Sequence, residues 1–453
     1  MELLPEEISE ISESPLTRFY STFNSNYTKK DYEIKLKKVM CEFLSKVLKG
    51  DPSKVEKELQ TPKKKKPGAV RNFPVADFED RVNEFVEKSK NDQKWCESTI
   101  FALINKLKER SELDPSHPDY IKSDSIKNYF FPLEKLLEMN DISLNFKRIR
   151  RYLPRQLNND DTRGYTRKEI EKIVEKSRLE DKVLVLMASC SGIRSGAFVL
   201  KWKHIIPVYE FEGKLLWSEE DVTESVEKKG KVVCGLIDIY ADSTERYFAF
   251  ITPECWKYIQ EYKVEWTSKF GKEPRPDDPF FKQKSDFIKP LSENGIRVRM
   301  IRILEKSGFR KPLPKNKRRH QIPPFNGFRR FFNKANKQAL SQTSTLAQLI
   351  LKENMMGHYG LIKLDRNYFK AHIDELIKEY VSAIPFLTIS DTEQQKLKIK
   401  ELKNKNLELQ HKDSTIEEMR KTIEFLKKEN TDRKDQYQNL KKGLRDLVRE
   451  YNQ

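Results

Sequence analysis

Between residues 80 and 155, apolar side chains recur at the 3.6-residue period of helices buried on one face. FEDRVNEFVEKSK, WCESTIFALINKLKERSEL and SDSIKNYFFPLEKLLEMN each set an apolar stripe behind a polar start, and ISLNFKRIRRYLP adds a short basic helix. These runs predict a small all-helical unit over 80–157. The preceding residues, 1–75, are polar and close on TPKKKKPGAVRNFP, four lysines held between prolines. Such a run does not suit a folded interior. It reads as a polar region and basic linker, either a solvated tether or an arm that touches phosphates.

A second unit is predicted over 165–388. It opens at TRKEIEKIVEKS, where Thr166 and Glu169 stand at capping-box spacing. Helices are expected at 167–178 and 181–199, the latter containing LVLMASCSGIRSGAFVL. VVCGLIDIYA and RYFAFITPE then form two β-rich runs around DSTE, a hairpin signal. A helix follows from PECWKYIQEYKVEW, then a basic loop, KPLPKNKRRHQIPPFNG, and helices within FRRFFNKANKQAL, TSTLAQLILKENMMG and RNYFKAHIDELIKEYVSAI. The fold class is therefore mainly α with a small antiparallel β-sheet, an α+β arrangement.

After Pro385 the pattern changes again. Leu402, Leu409, Ile416, Ile423, Asn430, Tyr437 and Leu444 recur every seven residues, and Met419, Leu426, Leu440 and Leu447 fill the position three further on. This a/d seam predicts a coiled coil over 390–453, most simply a parallel dimer with Asn430 at an a position. Lys405, Lys412 and Arg433 at d positions weaken it. The alternative is a solvated helix folded back on the body.

Charge narrows the partners. Lys and Arg number 88 against 70 Asp and Glu, a net +18 over 453 residues, which favours a polyanion such as nucleic acid. FKRIRR, with Arg148, Arg150 and Arg151, and KNKRRH, with Lys317, Arg318 and Arg319, are candidate contacts to the DNA backbone. The five cysteines are scattered without a C-x-x-C pair and the six histidines are dispersed, so neither a disulfide framework nor a zinc site is indicated. No apolar run suits a signal peptide or a membrane span, and a cytoplasmic, nucleoid-associated protein is expected.

The chemistry begins with Arg194, read as a charge at the buried end of a helix. Such a guanidinium is costly unless an anion or a carboxylate meets it. Downstream, NGFRR opens a helix and places Arg329 in its first turn, where helix N-termini favour phosphate. NMMGHYGLIKLDRNYFK then sets His358 at a helix end and Tyr368 ten residues later. Guanidinium forks suit the non-bridging oxygens of a phosphodiester, a tyrosine hydroxyl can attack phosphorus, and a histidine can donate to the phosphate or move protons.

SGIRSGAFVLKW, NGFRRFF and MMGHYGLIKLDRNYF, in that order, resemble the arginine-bearing boxes of the tyrosine recombinase/integrase family, its archaeal branch most, over roughly residues 85–385. The resemblance implies a helical core-binding domain followed by a catalytic domain. It makes Arg194 and Arg329 the two box arginines, His358 the third phosphate ligand and Tyr368 the nucleophile. It further implies DNA strand cleavage and rejoining through a 3′-phosphotyrosine, without metal or nucleotide cofactor, on double-stranded DNA and within a tetramer. Integration or excision of a mobile element is the expected setting.

Three positions depart from the family pattern. Asn326 stands where His or Lys is usual, and can hydrogen-bond a phosphate without serving as a charged acid. Ala197 replaces the usual acidic residue three after the first arginine. The hairpin turn ADSTERYF carries no lysine, although Arg246 lies at its exit and Lys228, Lys229 and Lys231 precede the first strand. These departures keep open a catalytically decayed, recombinase-like DNA-binding protein with coiled-coil self-association. A nicking-closing topoisomerase would use the same chemistry.

Overall fold

The computed structural model describes residues 14–50, 77–115, 117–154, 162–218, 220–284, 287–314, 319–340, 344–358 and 372–451. Chain contacts divide the protein into two units, one formed by residues 1–161 with 313–319 and the other by 162–312 with 320–453.

The first unit is helical. Its described helices are α1 (Pro15–Ser21), α2 (Asn26–Lys38, continued by a π turn at Val39–Phe43), α3 (Phe78–Asn91), α4 (Gln93–Glu112), α5 (Lys127–Met139) and α6 (Phe146–Tyr152). Leu16, Phe19, Leu36, Val39 and Met40 are buried in one core with Val82, Phe85, Ile100, Phe130 and Ile149. The stretch read as a polar linker thus contains structural helices in residues 14–50. Their apolar content is sparse along α2 and concentrated in α1 and the π turn, so no long 3.6-period stripe announces them. Arg81 fastens this region: it pairs with buried Asp77 at 2.5 Å and donates to the carbonyl of Leu48 at 2.6 Å.

In the second unit the chain enters through α7 (Arg167–Glu175), whose Thr166–Glu169 capping box is formed as the spacing predicts. Next comes α8 (Leu179–Ser191), buried at every residue from Val183 to Ser191. The strands are β1 (Ile205–Phe211), β2 (Lys214–Leu216), β3 (Lys231–Ile239) and β4 (Tyr247–Ile251), joined in the antiparallel order β2-β1-β3-β4. The β3–β4 hairpin matches expectation, whereas β1 and β2 had no clear sequence signal. Ile237, Ile239, Ala249 and Ile251 face one core, and Cys234, Leu236 and Phe250 face the other. Burial on both faces explains why β3 and β4 read as continuous apolar runs rather than as alternation.

A short helix, α9 (Glu224–Lys229), precedes β3, and α10 (Pro253–Phe270) and α11 (Glu293–Lys306) follow the sheet. Among the described residues, the further helices are α12 (Pro324–Gln338), α13 (Leu346–Asn354), α14 (Ile373–Leu387) and α15 (Asp391–Tyr451). α8 packs against α7, α10, α11, α12 and β4, which makes it the hub of the unit. Buried Tyr380 of α14 donates to the carbonyl of Cys190 at 2.8 Å, pinning α14 onto α8. The root of α15 is tied down as well: the Glu254 carboxylate accepts from the amides of Ile389 at 2.7 Å and Ser390 at 2.9 Å. No described helix is long and apolar enough to cross a membrane.

The helix expected over 181–199 stops at Ser191. Gly192 takes a left-handed φ of 63°, and a Cβ there would meet the Phe332 ring at 2.3 Å. Chain reversal and close packing on α12 both require glycine at this point. Arg194 therefore lies beyond the helix, and it is exposed rather than buried.

Candidate active site

The turn after Gly192 places Arg194 just before a 3-10 turn at Ser195–Phe198. Its guanidinium donates to the carbonyl of Gly357 at 3.4 Å, and among the described residues no carboxylate pairs with it. Ala197, where the family pattern led us to expect an acid, is buried in the core of the unit. Ser189 and Gly192 are packed inside as well, with the Ser189 hydroxyl bonded to the carbonyl of Leu186 at 2.9 Å. They cannot line a phosphate approach; of the small residues in this stretch, Ser195 and Gly196 remain half-buried.

Arg329 sits two residues deeper in α12 than expected, because the helix starts at Pro324 and not at Asn326. Proline suits that first position, where its missing N–H costs nothing. The Arg329 guanidinium donates to the carbonyl of Gly192 at 2.6 Å and to that of Met356 at 2.9 Å, and lies 2.6 Å from the Nε2 of His358. Burial and then the neighbouring charge of Arg194 lower its pKa from the ordinary arginine value. Asn326 is exposed on the first turn of the same helix.

His358 follows the end of α13, where Gly357 has a φ of 65° and a Cβ would press on Tyr247 at 2.9 Å. An arginine can only donate, so Nε2 of His358 must accept from Arg329. That assignment leaves the proton on Nδ1, which faces the Glu353 carboxylate at 2.7 Å. Glu353 also pairs with Lys337 at 2.6 Å. Burial pulls the Glu353 pKa up, but its hydrogen bonds to Lys337 and His358 outweigh that and hold it below the ordinary carboxylate value. A buried ion pair, Lys352 to Glu379 at 2.7 Å, locks α13 to α14.

Three separated segments thus meet at residues 356–358: Arg194 on the carbonyl of Gly357, Arg329 on that of Met356, and His358 against Arg329. Carbonyls orient the two guanidinium groups without cancelling their charge. The array can bind an anion with forked donors, and a histidine oriented by a carboxylate stands beside it. Tyr240 was missed from sequence. It follows the end of β3 with a φ of 54°, and burial raises its pKa while the Arg194 charge opposes that rise. A Cβ on Gly196 would lie 3.4 Å from its hydroxyl and 3.5 Å from the Glu293 carboxyl. Glu353 and Lys337 were missed as well. Glu353 stands five residues before His358, and only the turn at Gly357 brings the two side chains together.

The other named residues divide. Tyr368 lies outside the described residues, as do Lys317 and Arg318. Arg319 is exposed. In the helical unit, Arg150 pairs with Glu134 at 2.9 Å and Arg148 with Glu97 at 3.3 Å, while Arg151 is exposed on α6. Arg246 is held by Asp238 through bonds of 2.9 and 2.8 Å, and Lys228 pairs with Glu224 at 2.5 Å.

The chain matches no protein-family model and no curated protein sequence. Among solved structures it is similar to XerA recombinase at 12% identity, with a TM-score of 0.29, over 81% of this chain and 97% of that one. It is similar to XerH site-specific recombinase bound to difH substrate at 14% identity and a TM-score of 0.34, over 82% and 96%. A lambda integrase (75–356) dimer bound to a COC′ core site gives 13% identity and a TM-score of 0.35, over 80% and 98%. These superpositions are loose, with TM-scores below 0.4.

Proposed function

We propose that the protein is a tyrosine-type DNA recombinase, a site-specific integrase that cleaves and rejoins DNA strands through a 3′-phosphotyrosine. The observation that carries this reading is the convergence of Arg194, Arg329 and His358 on residues 356–358, with both guanidinium groups held by carbonyls. In the proposed reaction Arg194 and Arg329 bind the non-bridging oxygens of the scissile phosphate and offset the charge that builds on them. The Tyr368 hydroxyl loses its proton and attacks phosphorus, forming the tyrosyl ester at the 3′-phosphate. The bond to the 5′-oxygen breaks, and that oxygen leaves as a hydroxyl after taking a proton. His358, oriented by Glu353, takes up one of these protons on Nε2 once Arg329 turns to the phosphate. Rejoining is the reverse, with a 5′-hydroxyl as attacking group. Asn326 supplies a neutral hydrogen bond where a charged acid would be stronger. The protein acts on double-stranded DNA as an oligomer, and a mobile element is the setting this chemistry serves.

A second reading, a DNA-binding protein that no longer cleaves, is favoured by one specific observation. The described β3–β4 turn offers no lysine as a general acid, and Arg246 beside it is engaged by Asp238. A suicide duplex nicked near the cleavage site of its own element separates the two readings. Recombinase chemistry gives a covalent protein–DNA adduct that Tyr368→Phe abolishes while duplex binding persists. If the wild-type chain binds that duplex and leaves no adduct, the cleavage reading fails and the binding reading stands.

A further inference from the structure

α15 is a single helix of 61 residues, about 90 Å long at 1.5 Å per residue. Beyond Leu397 its described side chains are exposed, apart from half-buried Glu429. The apolar a and d residues from Ile416 to Leu444 are 49–69% exposed, and Asn430 and Arg433 are the polar members of that run. An apolar stripe of that length at a seven-residue period has no covering element among the described residues. Phe425 and Leu407 lie off the stripe.

We infer that this stripe is the interface of a parallel, in-register, two-stranded coiled coil formed with a second copy of the chain. The e and g positions decide the orientation. The e positions carry Arg420, Lys427, Lys434 and Lys441, while the g positions carry Thr415, Thr422, Glu429 and Gln436. An antiparallel pair would set e against e and crowd basic residues along one edge. A parallel pair sets g against the next e, which brings Glu429 to Lys434 of the partner subunit and leaves the other three cations facing Thr415, Thr422 and Gln436. Its one like-charged g–e pairing is Glu408 with Asp413 of the partner subunit. Asn430 at a meets its own counterpart only in this register, and a buried asparagine pair is satisfied by self-pairing in a parallel dimer. The apolar layers at 416–426 and 437–447 flank it. Lys405 and Lys412 at d leave the stretch nearer the body weakly paired.

The root of α15 gives this stem a fixed connection to its unit. Glu254 caps it through the amides of Ile389 and Ser390, and Arg167 donates to the carbonyl of Phe386 at 3.2 Å. The inference stands apart from the recombinase reading, since no residue of the arginine site takes part in it.

Sedimentation equilibrium of the full chain without DNA at micromolar concentration tests it. A dimer is expected, and Leu426→Lys combined with Leu440→Lys should raise its dissociation constant about 100-fold or more. Both positions are exposed, so thermal unfolding of the body should not change. A monomer, a trimer or a tetramer in the wild type overturns the two-stranded pairing, and a dimer indifferent to both lysines places the interface elsewhere. Orientation is read by Ile416→Cys in a Cys41→Ser background, since the other four cysteines are buried. Parallel strands give a 416–416 disulfide on oxidation. Absence of that crosslink in a dimeric protein overturns the orientation.

Discussion

The arginines of the two units face opposite surroundings. On α6, Arg148 and Arg150 meet the carboxylates of Glu97 and Glu134, so much of their charge is already answered inside the protein. At the candidate site Arg194 and Arg329 meet carbonyl oxygens of Gly357, Gly192 and Met356. A carbonyl orients a guanidinium while leaving its net charge available to an incoming anion. Basic composition alone does not separate these cases; the acceptor does. Within the site the two arginines differ again, because Arg329 is braced by two carbonyls and His358 while Arg194 has one long bond.

The sharpest test of that contrast is Arg329→Lys. A lysine cannot span both carbonyls, and adduct formation on the suicide duplex should fall by about 10²–10³-fold, the cost of losing a preorganised donor to a developing oxyanion. Thermal unfolding of the same variant should come at a lower temperature, since the carbonyls of Gly192 and Met356 lose their donor. Arg194→Ala should cost about 10²-fold in adduct rate without moving the unfolding temperature, because its side chain is exposed and braces little. Equal destabilisation by the two variants would contradict the contrast.

Glu353→Gln keeps the shape of the His358 bond but removes its charge. A loss of about tenfold in adduct rate is expected, roughly the 1.5 kcal/mol of a charge-assisted hydrogen bond. An unchanged rate would remove Glu353 from the site. On α6 the comparison becomes one of salt dependence. Arg151→Ala should reduce the slope of log binding constant against log salt by about 0.9, and Arg148→Ala and Arg150→Ala by less, because each of those two already has a carboxylate.

The smallest effect concerns Arg163, an arginine fully answered by a carboxylate. It forks onto Glu169 at 2.8 and 2.7 Å, and these bonds lower the Glu169 pKa to about 2 against the opposing effect of burial. A depressed carboxyl pKa contributes stability above its unfolded value of 4.5, and that contribution is lost as pH falls from about 4.5 to 2. Glu169→Gln should flatten this part of the acid-unfolding curve. The change stays within about 1 kcal/mol, because Arg163 is partly exposed.

Legibility varied with the range of the signal. The Thr166–Glu169 cap, the β3–β4 hairpin and the single long α15 depend on neighbours a few residues apart, and all three follow the sequence pattern. Helix α8 ends earlier than its apolar run suggests, at left-handed Gly192, which packs on Phe332, 140 residues away in α12. The helices within 14–50 were missed because their few apolar residues are buried by α3, α4 and α5 and form no stripe of their own.

For the site, residue types and their order along the chain were enough to single out Arg194, Arg329 and His358. Their common meeting point on residues 356–358, the carbonyl acceptors that hold them, and the Glu353–Lys337 support came only from the tertiary structure. The physical reason is that a side chain's chemistry is local and travels with its identity. Whether a charge is cancelled or left available depends on what the folded chain packs beside it.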